Sequence, residues 1–171
     1  MKFRLFAFAM FFFMLGQAIV MAQDCAYEVN EFDKFTKEKT LLTKSKLLWK
    51  NMGTGNSLSY KAHLKKGNRS LVFKYSDPKS FTLSQGGDFM LLFADGNFIT
   101  LHYDNEAVAV KDAVEPRYTA SFTCSLTDEL IKTLTSQTIT DFRIVATEGN
   151  FDHPITAENA KIFVSQIGCL K

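Results

Sequence analysis

Three histidines, His63, His102 and His153, carry most of the acid–base chemistry that this sequence offers near neutral pH. An imidazole can act as a general base when a carboxylate lies within hydrogen-bond reach. Asp88 and Asp104 lie close to His102 in the chain. The protein would be a small hydrolase if the fold placed His102 in an open cleft beside the carboxylate of Asp88 or Asp104. The more common outcome for such a histidine is a place in the core or at its rim, and we favour that interpretation.

The other two histidines offer weaker prospects for catalysis. His63 alternates with Lys61 and Lys65 along a strand pattern, which predicts a solvated position on a polar face. His153 follows Asp152 directly, and adjacent side chains rarely point at one another. We therefore expect the Asp152–His153 pair to lie in an ordinary loop.

Metal, nucleotide and nucleophile motifs are missing from the sequence. It holds no HExxH pair, no CxxC pair and no GxSxG elbow. The cluster Asp104-Asn105-Glu106 cannot supply the 6–8 oxygens that Ca²⁺ prefers. Gly53-Thr54-Gly55 lacks the glycine-lysine pair of a phosphate loop. We therefore assign no catalytic, cofactor-binding or metal-binding residue, and we expect no cofactor.

The first 22 residues have the three parts of a secretory signal peptide. Met1 to Arg4 is a basic start, Leu5 to Leu15 is an apolar run, and Ala22 precedes the expected cleavage point. A membrane anchor is the alternative, but the run is shorter than the ~20 residues of a spanning helix. The prediction is export, with residues 23–171 forming one extracytoplasmic domain, periplasmic or secreted.

Loss of the leader changes the charge balance. The number of Lys and Arg residues falls from 20 to 18, against 18 Asp and Glu residues. A formally neutral domain lacks the basic surplus that nucleic-acid binding requires, so we expect no nucleic-acid partner. We also expect no electrostatic membrane-surface role and no stable membrane insertion after cleavage.

Three cysteines remain in an exported chain, where disulfides can persist. Cys25 and Cys169 lie at opposite ends of the domain, and a bond between them would tie the termini together. Cys124 falls within a predicted strand, which favours a buried free thiol. The alternative is that all three cysteines are unpaired.

The stretch from Asp88 to Tyr103 predicts a central β-hairpin. Asp95-Gly96 favours a two-residue turn, which would place Phe93 opposite Phe98 and His102 on the same face as Phe89. Because both faces would then be largely apolar, we expect the hairpin to be covered on two sides.

The rest of the chain predicts strands followed by a helix, a strand and a helix. We expect a strand over 40–50, a hairpin over 57–76, short strands at 81–83 and 106–111, and a strand over 116–124. Ser125 or Thr127 can begin a helix, residues 139–146 return to a strand, and Thr156 begins a final helix. We expect irregular structure over residues 23–39 and over residues 147–154. Within the first of these segments, Phe32 and Phe35 are expected to be buried. The predicted class is α+β, mainly antiparallel sheet with two C-terminal helices packed on one side; a β-sandwich with a C-terminal helix is the alternative.

The start of the mature chain, Asp33-Lys34-Phe35-Thr36-Lys37 followed by Thr40 and Thr43, resembles small secreted proteins of Bacteroidota-type bacteria. The resemblance covers roughly the first 20 mature residues. It implies an extracytoplasmic bacterial setting and no activity, so it transfers no functional residue.

Two functional hypotheses follow. The first is a non-enzymatic exported module that binds a protein, a glycan or a small apolar ligand through a sheet face. The alternative is the hydrolase built on His102. An exposed group of Trp49, Tyr60 and Tyr75 could bind sugar rings, although we expect these aromatic residues to fill the core.

Overall fold

Antiparallel strands dominate the computed structural model, which describes residues 25–170. The predicted leader lies outside the described residues. The strands are β1 (Tyr27–Phe32), β2 (Lys39–Thr43), β3 (Lys46–Lys50), β4 (Ser57–Lys65), β5 (Asn68–Asp77), β6 (Thr82–Leu83), β7 (Asp88–Phe93), β8 (Phe98–His102), β9 (Ala107–Val108), β10 (Val110–Lys111), β11 (Tyr118–Leu126), β12 (Ile139–Ala146) and β13 (Gly149–Pro154). The helices are α1 (Asp128–Ser136) and α2 (Ala157–Gly168).

The strands form two main sheets. The large sheet has seven strands in the order β1-β2-β4-β5-β11-β10, with β3 also paired to β4. The small sheet has four strands in the order β13-β12-β7-β8, and β6 pairs with β9 as a separate short ribbon. Every pairing is antiparallel, which confirms the predicted α+β class with a mainly antiparallel sheet.

An aromatic core joins the inner faces of the two sheets. Phe73 of β5 contacts Phe89 of β7 with ring centroids 4.6 Å apart, and it stacks on Phe122 of β11 at 5.1 Å. Helix α2 packs against β3, β4 and β12, and its Phe163 meets Tyr60 of β4 at 4.9 Å. The two layers therefore give the small sheet one buried face and one open face.

Both helices begin at the predicted capping residues. The hydroxyl of Thr127 accepts a hydrogen bond from the backbone N–H of Leu130, and Thr156 accepts one from Asn159, each at 3.2 Å. Each bond satisfies a backbone donor that the first helical turn leaves without an intrahelical partner.

The central hairpin forms, but its predicted register is wrong by one residue. Leu92, not Phe93, lies opposite Phe98. A two-residue hairpin turn requires positive φ at both central residues (type I′) or at the first (type II′), and here only the second, Gly96, has it, at +85°. Asp95 instead accepts a hydrogen bond from the backbone of Asn97 at 2.9 Å, and Gly96 donates to the carbonyl of Phe93. These bonds define a three-residue loop that ends in a glycine bulge.

A one-residue slip moves every side chain of a strand to the opposite face. Phe98 and His102 therefore lie on the outer side of the small sheet, while Leu101 turns into the core. The expectation that the hairpin is covered on two sides is wrong, because its outer face is open.

Two segments that were expected to be irregular are strands. Residues 27–32 pair with β2, and residues 149–154 pair with β12. Both are edge strands with few buried side chains, so they lack the apolar alternation that marks a half-buried strand. Phe32 and Phe35 are exposed rather than buried, with Phe35 at 85%.

Two predicted strands are interrupted. Residues 40–50 divide into β2 and β3, and at the break the buried hydroxyl of Thr43 accepts a hydrogen bond from the backbone N–H of Ala62 at 2.9 Å. Residues 106–111 divide into β9 and β10, which pair with β6 and β11 respectively. The hairpin over 57–76 and the strand over 139–146 are confirmed.

A disulfide joins Cys25 to Cys169 and so links the start of β1 to the end of α2, as predicted. Cys124 is a buried free thiol, and its burial raises its pKa well above the ordinary range. Within residues 25–170, no helix is both long and apolar enough to cross a membrane.

Candidate functional site

The outer face of the small sheet brings residues from four strands into two adjacent rows. Strand register sets each row, because residues directly opposite one another share a face. The first row is Asp152, Arg143, Met90 and Thr100; the second is Pro154, Asp141, Leu92 and Phe98.

A pocket of ≈ 470 Å³ lies on this face. Its lining residues are Met90, Leu92, Phe98, Asp141, Phe142, Arg143, Asp152, His153 and Pro154. Met90, Leu92 and Phe98 form what we call the apolar floor, and Phe98 is 58% exposed while Leu92 is 38% exposed. Large apolar side chains left open to water within a polar surround are typical of a binding surface.

Arg143 and Asp152 form a bidentate ion pair along one side of the pocket. Nε of Arg143 donates to one carboxylate oxygen of Asp152 and Nη2 to the other, each at 2.6 Å. The hydrogen bonds from Arg143 lower the pKa of Asp152, and those same bonds raise the pKa of Arg143. Both groups are therefore charged at neutral pH, and each neutralises the other.

Asp141 owes its outward position to a β-bulge in β12. The register against β7 shifts between Ile139, opposite Phe93, and Asp141, opposite Leu92. Without the extra residue, Asp141 would share the buried face with Ile139; the bulge turns it outward. Among the described residues, its carboxylate has no side-chain hydrogen bond or ion pair. The pocket rim therefore carries one uncompensated negative charge.

A hydrogen-bonded chain supports the pocket from below. Tyr75 donates its hydroxyl proton to buried Asp77 at 3.1 Å, and its oxygen lies 3.2 Å from Nε2 of His153. Because Tyr75 has only one proton to donate, Nε2 of His153 must carry the hydrogen of that second bond. The imidazole also stacks on Trp49 with ring centroids 3.7 Å apart.

The pKa of His153 is lowered, chiefly because burial disfavours its charged form. The carboxylates of Asp77 and Asp152 oppose this effect without reversing it. His153 is therefore neutral at pH 7 and fixes strand β13 to the core. The expectation of an ordinary loop at Asp152–His153 is wrong, because both residues lie in β13 and serve different contacts.

His102 and Asp88 come together, since Nδ1 of His102 lies 3.0 Å from a carboxylate oxygen of Asp88. The expectation that His102 shares a face with Phe89 is wrong, because the register places it on the opposite face of the sheet. His102 is exposed and is not among the residues that line the pocket. Asp104 has a different partner; its carboxylate accepts a hydrogen bond from the hydroxyl of Ser125 at 2.9 Å. His102 and Asp88 are therefore close enough for general-base catalysis, but they lie on an open surface and not in a cleft.

The remaining candidates have structural surroundings. His63 is half-buried on the outer face of the large sheet, and its pKa is lowered by burial and then by Lys65. Trp49, Tyr60 and Tyr75 are buried, which confirms that they fill the core. Among residues 25–170, no group of three or more His, Cys, Asp or Glu side chains could hold a metal ion.

Sequence reasoning missed most of the pocket, namely Met90, Leu92, Phe98, Asp141 and Arg143. One feature of the sequence could have located part of it. The apolar residues of 139–146 step from Ile139 to Phe142 to Ile144, and this three-residue step within a strand indicates a bulge. Comparison with protein-family models, with curated proteins and with solved structures gave no match.

Proposed function

We propose that this protein is a non-enzymatic binding module whose ligand sits on the outer face of the small sheet. The observation that carries the proposal is the exposed apolar floor beside a free carboxylate. The ligand class that fits is a protein segment with a large apolar side chain next to a lysine or arginine.

The floor accounts for the apolar part of this ligand. Covering Leu92 and Phe98 with a partner side chain would remove their exposed apolar surface from water, which contributes about 25 cal/mol per Å². A ligand that brings a flat aromatic or branched aliphatic group can contact Met90 as well, because the three residues lie on adjacent strands.

Asp141 accounts for the basic part. Arg143 is already neutralised by Asp152, so the uncompensated charge at the rim is negative. A ligand cation beside Asp141 would form a charge-assisted hydrogen bond, which is about twice as strong as a neutral one. An acidic ligand would meet repulsion at the same point.

The matched leucines Leu92 and Leu47 test the floor. Leu47, on β3, is 41% exposed and Leu92 is 38% exposed, so truncating either one removes a similar outer surface. Peptides would first be selected from an unbiased display library on the purified protein. Enriched peptides should carry an apolar residue beside a basic one, and Leu92→Ala should weaken their binding about tenfold while Leu47→Ala leaves it unchanged.

Asp141→Asn tests the rim with little risk to the fold. A free surface carboxylate contributes little to stability, so the free energy of unfolding should change by less than about 0.5 kcal/mol. Binding of the basic peptides should fall, and binding should lose most of its dependence on salt. Failure to enrich any peptide would overturn the proposal, and so would peptides that bind Leu92→Ala and Asp141→Asn as tightly as the wild type.

A second candidate function rests on the 3.0 Å contact between His102 and Asp88. A surface imidazole held by a carboxylate could promote hydrolysis of an activated ester. A loss of ester hydrolysis on changing His102→Gln would support it. Equal rates for both proteins, each no faster than free imidazole, would remove it.

We infer an extracytoplasmic location, periplasmic or outside the cell. The bond between Cys25 and Cys169 supports this inference, because disulfides persist in oxidising compartments and are rare in the reducing cytosol. The predicted leader, residues 1–22, supports it independently. Fractionation followed by mass measurement would test both, since the exported protein should begin at Gln23 and contain the linked termini.

A further inference from the structure

Strand β8 leaves one row of backbone groups unpaired at the edge of the small sheet. Phe93 donates to the carbonyl of Asn97, and Tyr103 donates to that of Gly87. Along an antiparallel strand, successive residues direct their backbone groups alternately to one side and the other. Asn97 and Tyr103 bond toward β7, so Ile99 and Leu101 between them also direct their N–H and C=O groups toward β7. The N–H and C=O groups of Phe98, Thr100 and His102 must then point away from the sheet.

No hydrogen bond within the described part of the chain reaches these outward groups. Open edges of this kind readily pair with another strand, and proteins usually block them. The sequence of β8, FITLH, has no lysine, proline or glycine, and its register against β7 is regular.

Three other sheet edges carry blocking features. Strand β10 has only two residues and ends in Lys111. Strand β1 has a register shift between Tyr27 and Val29 and carries exposed acidic residues. Strand β13 ends at Pro154, and its His153 is covered by Trp49 of β3. Strand β8 combines length and regularity with an absence of these features.

We propose that β8 is a self-association surface and that its partner is β8 of a second copy of this chain. In an antiparallel pair related by a two-fold axis at Thr100, each outward residue meets another outward residue. Thr100 lies opposite Thr100 of the second copy, and Phe98 lies opposite the second copy's His102. Three such pairs form about six backbone hydrogen bonds. A shift by two residues in either direction loses at least one pair, so this register is the best that the strand offers.

The side chains agree with this register. Thr–Thr and aromatic–aromatic pairs across antiparallel strands are favourable. On the outer face, the exposed ring of Phe98 gains the imidazole of His102 as a neighbour. On the inner face, half-buried Ile99 gains Leu101 of the second copy and is further covered. No like charges meet along the strand, because its only titratable side chain is His102.

The consequence is one continuous sheet of eight strands with a pocket in each half, both on the same face. This inference does not depend on the proposed ligand, since it rests on the backbone of β8 alone. If both hold, the dimer presents two ligand pockets side by side and binds a repeated or dimeric partner more tightly than either pocket alone.

Analytical ultracentrifugation of the purified protein, with its disulfide formed, tests the association. The wild type should sediment near the mass of two copies at high concentration and dissociate on dilution. Thr100→Pro removes an outward N–H that β7 does not use, so the fold should survive while self-association weakens about tenfold or more. Thr100→Val keeps the N–H and should remain dimeric. A wild type that stays monomeric, or a dimer that Thr100→Pro leaves intact, would overturn the proposal.

Cross-linking tests the register itself. Thr100→Cys would bring two thiols together across the axis, at the Cα separation of about 5.5 Å that a disulfide accepts. His102→Cys would leave its thiols four residues out of register. Native Cys25 and Cys169 are already joined and Cys124 is buried, so they should not interfere. Rapid covalent dimerisation at position 100 but not at 102 supports the pairing; equal or absent linkage at both positions contradicts it.

Discussion

His153 couples the pocket to the core through three different contacts. It stacks on Trp49, it donates to Tyr75, and its backbone pairs with Phe142 in β12. Protonation would place a charge where burial disfavours one, and this is why its pKa lies below the ordinary 6.5. The unfolded chain therefore binds a proton more readily than the folded chain in mildly acidic solution.

The sign of the pH dependence follows from that difference. Well above pH 6.5 His153 is neutral in both states, and it costs the folded protein no stability. As the pH falls from 6.5 toward the lowered pKa, the unfolded state gains protons first and stability is lost. Urea unfolding at several pH values between 7.5 and 5 should show this decline, and His153→Gln should reduce its slope.

His63→Gln provides the control for this experiment. The pKa of His63 is also lowered, so it contributes a separate loss in the same pH range. The two residues lie on different sheets, and their effects should add. Stability that stays constant from pH 7.5 to 5, or a slope that His153→Gln does not change, would show that burial does not govern this histidine.

At the level of elements, the turn between β7 and β8 decides which residues reach the pocket. Gly96 has a φ of +85° with nothing close to a Cβ placed there, so only its backbone conformation resists substitution. Gly96→Ala should therefore destabilise the protein by about 1 kcal/mol. Gly53→Ala is the matched control, because its added Cβ meets only Asn51 at 3.4 Å, and the change should stay within about 0.5 kcal/mol.

Denaturant unfolding of both variants measures these differences directly. Equal stability of Gly96→Ala and the wild type would mean that the loop does not use the left-handed conformation. The one-residue slip of β8 would then lose its physical cause.

The same turn shows what could be predicted from the sequence. Asp95-Gly96 correctly located the hairpin, because the pair is flanked by apolar runs that can pair. The register could not be read, since two-residue and three-residue loops both accept glycine with positive φ and differ by one residue in length. That one residue sends Phe98 to the surface, and so the pocket was missed although the hairpin was found.

Edge strands were missed for a related reason. Strands β1 and β13 bury few side chains, and backbone pairing with a neighbour holds them in place. Each pairs with the strand next to it in the chain, but backbone pairing uses no apolar side chain and so leaves no mark in the hydrophobic pattern. The helices were predictable because the capping residues Thr127 and Thr156 directly precede the helices that they begin.

For the whole molecule, the Cys25–Cys169 bond connects the two ends of the described chain across a sequence separation of 144. Chain-entropy reasoning assigns about 4–5 kcal/mol to closure of so long a loop. The double variant Cys25→Ser, Cys169→Ser should therefore unfold at a clearly lower urea concentration. Reduction of the wild type should have the same effect and should leave the double variant unchanged.

Cys124 offers an internal check on this comparison. Its burial raises its pKa, so it should resist thiol reagents in the native protein and react only after unfolding.

The urea midpoint of the wild type decides the role of the terminal bond. A midpoint that reduction does not change would show that the Cys25–Cys169 bond contributes nothing to stability.

The binding face is the central claim, and a map of ligand contacts tests it most directly. NMR spectra of the labelled protein, titrated with a display-selected peptide, would report which backbone amides change. We predict the largest changes at Met90, Leu92, Phe98, Asp141 and Arg143, with residues on the outer face of the large sheet unaffected. Changes confined to the large sheet, or the absence of any localised change with a peptide that binds, would contradict the assignment.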